Sequence, residues 1–389
     1  MIARVDRVRA EPFGAWVRID AAESLVAIDR ALAQSVGIDG GAAWSDGADA
    51  APTRPLEVHL AVTARCPSGC EGCYLDARPD GLEPERATLE ARLDVIAAAG
   101  AFTVAFGGGE PMSRADIGEL AAYARRVGLV PVMTTSGLGL GAERARELGA
   151  FAQVNVSHDG VDGAYGAVRG YDGGRAAERA LEHLLAAGVP AGVNYVLTRA
   201  SFDALGATAA RVASLGAREL QLLRYKPAGR AASLDYLDRR LSPAQVDALF
   251  DAIGAIVRGG ALRVRIDCAL LPLLSSRIVD DATAARLATY GVLGCEAARH
   301  LAAAKVDGRL APCSFTDATS ADVAALEPAW AREPELERFR AWHAALPQPC
   351  ASCPLVETCR GGCQVVSRHL GAGAFAPDPE CPRVRAAGG

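Results

Sequence analysis

LEVHLAVTARCPSGCEGCYLD, residues 56–76, is the stretch from which the fold class reads most directly. Its first eight residues, Leu56 to Thr63, read as a strand, with Glu57 and His59 on one face. Three thiols follow at once: Cys66, Cys70 and Cys73. Farther along, strand-like runs alternate with helical ones. Strands are expected at Phe102 to Phe106, Leu129 to Thr134, Ala152 to Val156, Ala191 to Leu197 and Glu219 to Arg224. Helices separate them, clearest at Leu89 to Ala99, Ala176 to Gly188 and Ser242 to Val257. Six strand–helix units in series predict an α/β fold, a parallel sheet curled into a partial (β/α)6 barrel over residues 51–260. Before it, FGAWVRI, SLVAID and RALAQSVG predict a short strand-strand-helix segment in 1–50, bounded by the loop GIDGGAAWSDGADAAPTRP. Beyond it, in 261–389, strand signals are short and cysteine spacing dominates, so a region organised around metal is expected.

Half of the 389 residues are hydrophobic, enough for substantial cores in two or three domains and too many for a disordered chain. No apolar run approaches the roughly 18 residues of a membrane span, and MIARVDRVRAEP lacks the apolar centre of a signal peptide. A cytoplasmic protein with no membrane partner is expected. With 41 basic against 46 acidic residues, no basic field suits a phosphate backbone, so nucleic acid is not an expected partner. The only lysines, Lys226 and Lys305, read as compositional bias towards arginine. Eleven cysteines, an odd number in a chain with no export signal, point to metal or cluster ligation and away from disulfides.

The CxxxCxxC spacing lets one short loop wrap three corners of a cubane iron–sulfur cluster, whose usual ligands are thiolates. Three ligands leave one iron open to the amino and carboxylate groups of a small molecule. A zinc knuckle is the alternative. Position supports the cluster, because loops after the strands form the active face of a βα barrel. Gly107 to Pro111 follow the second strand, where absent side chains admit a ligand close to the backbone. Ser157 and Asp159 follow the fourth.

Through Cys66, Cys70, Cys73 and Tyr74, and through the GGEP stretch Gly108 to Pro111, most of the chain resembles the radical S-adenosylmethionine enzymes. The resemblance implies a [4Fe-4S] cluster whose open iron binds S-adenosylmethionine, an external electron donor, and a 5′-deoxyadenosyl radical that abstracts hydrogen from substrate. It also implies that Gly108, Gly109 and Glu110 hold the methionine ammonium, that Ser157 approaches the ribose and that Arg169 meets the methionine carboxylate.

Towards the end, Cys295, the GRLAPC run to Cys313, PCASCPLVETCRGGC and Cys381 are similar to a SPASM domain, which carries two auxiliary clusters. By that resemblance Cys295, Cys313 and Cys363 hold one cluster and Cys350, Cys353, Cys359 and Cys381 the other, three [4Fe-4S] clusters in all. No cysteine intervenes between Cys295 and Cys313, so the first auxiliary cluster has an open iron or another ligand. Ser314 stands where sulfatase-maturing relatives carry an aspartate proposed as general base, which argues against that activity. Cys268 is left over as a small buried apolar residue, a hydrogen-atom donor or a fourth cluster ligand. The six histidines form no ligand motif, and His59, beside Glu57, reads as structural or as facing the barrel lumen.

Three functions follow. The first is a peptide maturase that oxidatively crosslinks or otherwise alters a side chain of a ribosomally made precursor. The N-terminal segment resembles the start of a precursor-recognition domain, in shortened form. The second is a small-molecule dehydrogenase or epimerase acting on a sugar or aminocyclitol. The third, a noncatalytic electron carrier, is disfavoured by the intact GGEP and CxxxCxxC stretches.

Overall fold

The computed structural model describes residues 5–19, 24–44, 52–278, 280–289 and 291–388. In chain order the strands are β1 (Val5–Glu11), β2 (Gly14–Ile19), β3 (Ser24–Asp29), β4 (Glu57–Thr63), β5 (Thr103–Gly108), β6 (Val130–Thr135), β7 (Gln153–Ser157), β8 (Ala191–Leu197), β9 (Glu219–Arg224), β10 (Arg263–Ile266), β11 (Leu301–Ala304) and β12 (Leu310–Ala311). They form two sheets. A nine-stranded one has the order β10-β9-β8-β7-β6-β5-β4-β11-β12, and a three-stranded one the order β1-β2-β3.

From β10 across to β11 every neighbouring pair of the large sheet is parallel, and only β12 runs antiparallel. Parallel strands need crossovers, and helices Arg86–Ala98, Ile117–Arg126, Gly174–Ala186 and Leu205–Ser214 supply them. Their buried faces, such as Leu89, Leu93 and Ile96, or Ala177, Ala180, Leu181 and Leu184, pack with Val58, Leu60, Val104, Val154 and Val193 in one core. The six expected strands lie within a residue or two of the observed ones. Helix Pro243–Gly259 begins where Ser242 and Gln245 form a reciprocal capping box and ends on Gly260 in the left-handed conformation.

Four strands lay outside the expectation, the two-residue β12 among them. β10 is four residues, RVRI, on the sheet edge with both arginines exposed. β11, LAAA, has the composition of a helix, yet it is buried beside β4 with Ala303 opposite His59. Its small side chains suit a tightly covered strand that propensity alone does not indicate. In the N-terminal sheet, β1 (VDRVRAE) precedes the two expected strands and pairs with β2 in antiparallel register. Its charges have tertiary partners. Arg7 donates to the Ala101 carbonyl at 2.7 Å, and Arg9 to the Pro55 and Gly100 carbonyls at 2.8 Å. Glu11 is buried against Arg9 and Thr53, so its charge is compensated. The domain boundary expected at 50/51 lies outside the described residues.

Candidate active site

A cavity of about 980 Å³ opens on one face of the large sheet, lined by inward-facing residues of every strand from β4 to β10 and by Ala303 of β11. Cys66, Cys70 and Cys73 border it, as do Gly107 to Glu110, Ser157, Asp159 and Arg169. All are carried at or just beyond the carboxyl ends of β4, β5 and β7, or on the short helix Ala164–Arg169.

The cysteine loop is held shut by its own backbone and by arginines. Cys66 N–H donates to the Arg78 carbonyl at 2.9 Å, and Arg230 donates to the Cys70 and Ala77 carbonyls and to Asp76. Gly108 and Gly109 are required where they stand. A Cβ would lie 2.2 Å from the Thr63 carbonyl oxygen at the first and 2.1 Å from that of Arg65 at the second, and Gly108 has a φ of 111°. The close approach allows Gly109 N–H and Glu110 N–H to donate to those same carbonyls at 2.7 and 2.8 Å. Two loops become one unit.

Glu110 is buried, and its carboxylate accepts from Met112 N–H, from the Thr135 hydroxyl and from both the N–H and hydroxyl of Ser136, at 2.6 to 2.9 Å. It ties the β5 loop to the β6 loop. Arg169 pairs with Asp159 and points a second nitrogen at Cys70 Sγ, 3.6 Å away. Burial opposes its charge, but Asp159 and Cys70 outweigh that and hold the guanidinium well above its ordinary value. Tyr74 lies over Phe315, ring centroids 4.6 Å apart, and burial pushes its phenol up to about 12.

The donor set suits an iron–sulfur cluster. Cys66, Cys70 and Cys73 are unpaired and half-buried, and Ala77 N–H approaches Cys73 Sγ at 3.4 Å while Arg169 approaches Cys70. Such donors stabilise thiolate charge around a cluster. Among the described residues no three Cys, His, Asp or Glu side chains converge as around a single ion. A cluster puts each thiolate on a different iron and needs no such convergence.

Cys350, Cys353, Cys359 and Cys381 line a second, small cavity together with Pro349, Leu355 and Gly361. Cys295, Cys313 and Cys363 lie near one another, each among the charges acting on the Cys295 thiol or its neighbours. Cys268, just past β10, joins them. Its thiol feels the charges of Cys295, Cys363 and Lys226, and the adjacent Ala269 packs in one cluster with Cys363. The link is a buried ion pair. Arg224 at the end of β9 donates to the Ala269 carbonyl at 3.0 Å and to both oxygens of Asp378, which accepts from Cys363 N–H.

Several cavity residues were invisible to spacing. Lys226, read as compositional bias, is buried against Asp267 and lies 4.4 Å from the Phe315 ring centre. Burial would lower its ammonium, but Asp267 outweighs this and holds it above its ordinary value. Asn155 donates to Asn194 at 2.8 Å and Asn194 to Thr134 at 3.1 Å, making a polar amide ladder across β6, β7 and β8. A single Asn between apolar neighbours in each of two strands was the available signal. His59 and Glu57 face the cavity, and His59 also meets Ser314.

Residues 60–205, which include the first cysteine loop, match the model of the radical SAM superfamily. That stretch is a radical SAM domain. It is similar to the PqqA peptide cyclase of Streptomyces rochei, 29% identical over 365 residues covering 86% of this chain and 91% of the relative. It is also similar to the AdoMet-dependent heme synthase of Nitratidesulfovibrio vulgaris, 24% identical over 86% of this chain and 93% of that protein. Among solved structures, Streptococcus suis SuiB bound to its precursor peptide SuiA superposes with a TM-score of 0.75 at 15% identity, covering 98% of this chain and all of that one. The shared α/β fold with a mostly parallel sheet is that of radical SAM enzymes, which employ a [4Fe-4S] cluster and S-adenosylmethionine. No helix among the described residues is long and apolar enough to cross a membrane.

Proposed function

We propose that this radical SAM enzyme modifies a ribosomally synthesised precursor peptide, by an oxidative crosslink or a related side-chain change. The observation that carries the reading is the near end-to-end match to a peptide cyclase, 86% of one chain and 91% of the other. A fold shared along its whole length with a structure holding a precursor peptide supports it.

In this reading residues 51–260 form a partial (β/α)6 barrel, 261–389 a SPASM domain, and 1–50 an N-terminal segment. Cys66, Cys70 and Cys73 hold a [4Fe-4S] cluster that, when bound with S-adenosylmethionine, supplies the 5′-deoxyadenosyl radical. Gly108, Gly109 and Glu110 offer backbone to the methionine ammonium, Ser157 stands towards the ribose, and Arg169 towards the methionine carboxylate. Asp159 aims that arginine, and Glu110 keeps the glycine loop from moving. Cys350, Cys353, Cys359 and Cys381 hold a second cluster. Cys295, Cys313 and Cys363 hold a third, with Cys268 as fourth thiol, supported by the packing of Ala269 on Cys363. An external reductant supplies the electron.

The test is co-expression with each short peptide that a neighbouring reading frame encodes, followed by mass spectrometry and by anaerobic assay of 5′-deoxyadenosine. A mass loss of two hydrogens per crosslink is expected. Formation of 5′-deoxyadenosine with an unaltered peptide overturns the peptide reading. It would favour the small-molecule dehydrogenase or epimerase instead, a reading for which the likeness to a heme synthase is the specific support.

A further inference from the structure

Two observations left aside by the sequence converge inside the cavity. Glu57 and His59 stand on one face of β4, and Ser314 follows Cys313 after β12, 255 residues from His59. The structure brings them into line. His59 Nδ1 lies 2.7 Å from the Ser314 hydroxyl and His59 Nε2 lies 2.7 Å from a Glu57 carboxylate oxygen. All three residues line the same cavity as the Cys66 loop.

The chemistry of the pair fixes the proton positions. Burial alone would raise the Glu57 carboxyl, but the hydrogen bond from His59 and the charges of His59 and Arg265 bring it below its ordinary value. A carboxylate only accepts, so Nε2 carries the imidazole proton and Nδ1 presents its lone pair. The Ser314 hydroxyl must then donate to Nδ1, leaving its own oxygen lone pairs turned to the cavity. The Ser314 backbone is anchored too, since Lys305 Nζ donates to its carbonyl at 2.8 Å. Orientation of a hydroxyl by an imidazole, and of the imidazole by a carboxylate, is the arrangement of an activated acid–base relay.

We propose that Ser314, His59 and Glu57 form the proton relay that takes up the proton released when the substrate radical is oxidised. The inference rests on the peptide-modifying reading and deepens it. Once hydrogen has been abstracted from the peptide, closing a new bond releases one electron and one proton. An iron–sulfur cluster, when bound by the carboxyl-terminal cysteines, would accept the electron. The heteroatom–hydrogen bond of the peptide breaks heterolytically, its electron pair forming the new bond. Ser314 Oγ takes that proton while passing its own to His59 Nδ1, and the resulting imidazolium is held by Glu57. Ser314 touches the substrate, and Glu57 is a positioning residue.

The experiment compares wild type with Ser314→Ala, Ser314→Thr and His59→Gln, using S-adenosylmethionine, a chemical reductant and the peptide found to be altered in the co-expression test. Modified peptide is measured per 5′-deoxyadenosine, and iron per chain is measured in parallel. The ratio should fall about 10²-fold in Ser314→Ala and His59→Gln, the usual weight of a positioned acid–base group. It should return to within a few-fold of wild type in Ser314→Thr, which keeps the hydroxyl. In ¹⁵N spectra wild-type His59 should show the Nε2–H tautomer, and Glu57→Leu, which has no acceptor, should lose that preference. Ratios in Ser314→Ala and His59→Gln close to wild type overturn the relay while leaving the peptide reading intact. So does loss of iron from Ser314→Ala, which would make the serine a support for Cys313. A wild-type enzyme that forms 5′-deoxyadenosine and never alters any peptide overturns both.

Discussion

Replacing Arg224 by Met tests whether the cysteine-rich carboxyl-terminal region is electrostatically locked to the sheet. Arg224 Nη1 lies 2.6 Å and Nη2 3.1 Å from the two Asp378 oxygens, and Nη2 lies 2.7 Å from Glu380, all in buried side chains. The partners are not equally exposed to its loss. Glu380 keeps Arg240 at 2.7 Å and the Tyr236 hydroxyl at 2.6 Å, whereas Asp378 retains only backbone donors from Cys363 and Glu380. Arg224→Met therefore leaves one uncompensated buried carboxylate, which costs about 3–5 kcal/mol. At 1.4 kcal/mol per decade, a loss of about 4 kcal/mol lowers the folding equilibrium nearly 10³-fold. The assay is anaerobic urea unfolding, in which a lower midpoint at unchanged slope reports stability. Adding Asp378→Leu to Arg224→Met removes the stranded charge and should recover about 2 kcal/mol or more. A single-variant loss below about 1 kcal/mol, or no recovery in the double variant, refutes the assignment of this pair as the lock.

Alanine at Cys66, Cys70 and Cys73 together should abolish 5′-deoxyadenosine formation while the other cysteine sets keep their iron; undiminished cleavage would place the radical site elsewhere. Iron and sulfide after anaerobic reconstitution should each approach about twelve per chain, the content of three cubane clusters, and a value near four with zinc present would remove the auxiliary clusters. If Cys268 is a ligand, Cys268→Ala should lose iron or change the spectrum of one cluster, and full iron with an unchanged spectrum would leave the site with three cysteines. Burial, with repulsion from Arg360, holds His343 down to about 3, and its ring nitrogens have no hydrogen-bond partner. Its unfolded form takes up a proton near pH 6.5 and its folded form does not, so this group's contribution is complete above 6.5. It is lost at up to about 1.4 kcal/mol per pH unit as pH falls towards 3. The slope of stability against pH between 6 and 4 should be shallower in His343→Phe, and an unchanged slope would show that the ring is hydrated.

Local chemistry made much of this protein legible. The six central strands follow from branched apolar runs at repeat distances, because a strand in a parallel sheet covered on one side by helices must be apolar wherever it meets them. The cysteine loop was equally plain, since its three thiols lie within eight residues of one another. Strands β10 and β11 were not, because an edge strand of alternating arginine and a buried run of alanine owe their conformation to their neighbours.

Sequence by itself determined the α/β class and the place of the cysteine loop, just beyond the end of β4. Tertiary structure alone decided that Lys226 is buried with Asp267, that Cys268 stands with Cys295 and Cys363, and that Ser314 meets His59 across 255 residues of chain. The reason is physical. Periodicity and motif spacing report interactions whose range along the chain is a few residues. The closing of a sheet around a cavity sets distances between residues that the chain itself leaves unconstrained, and desolvation there gives a lone lysine, cysteine or serine its partner.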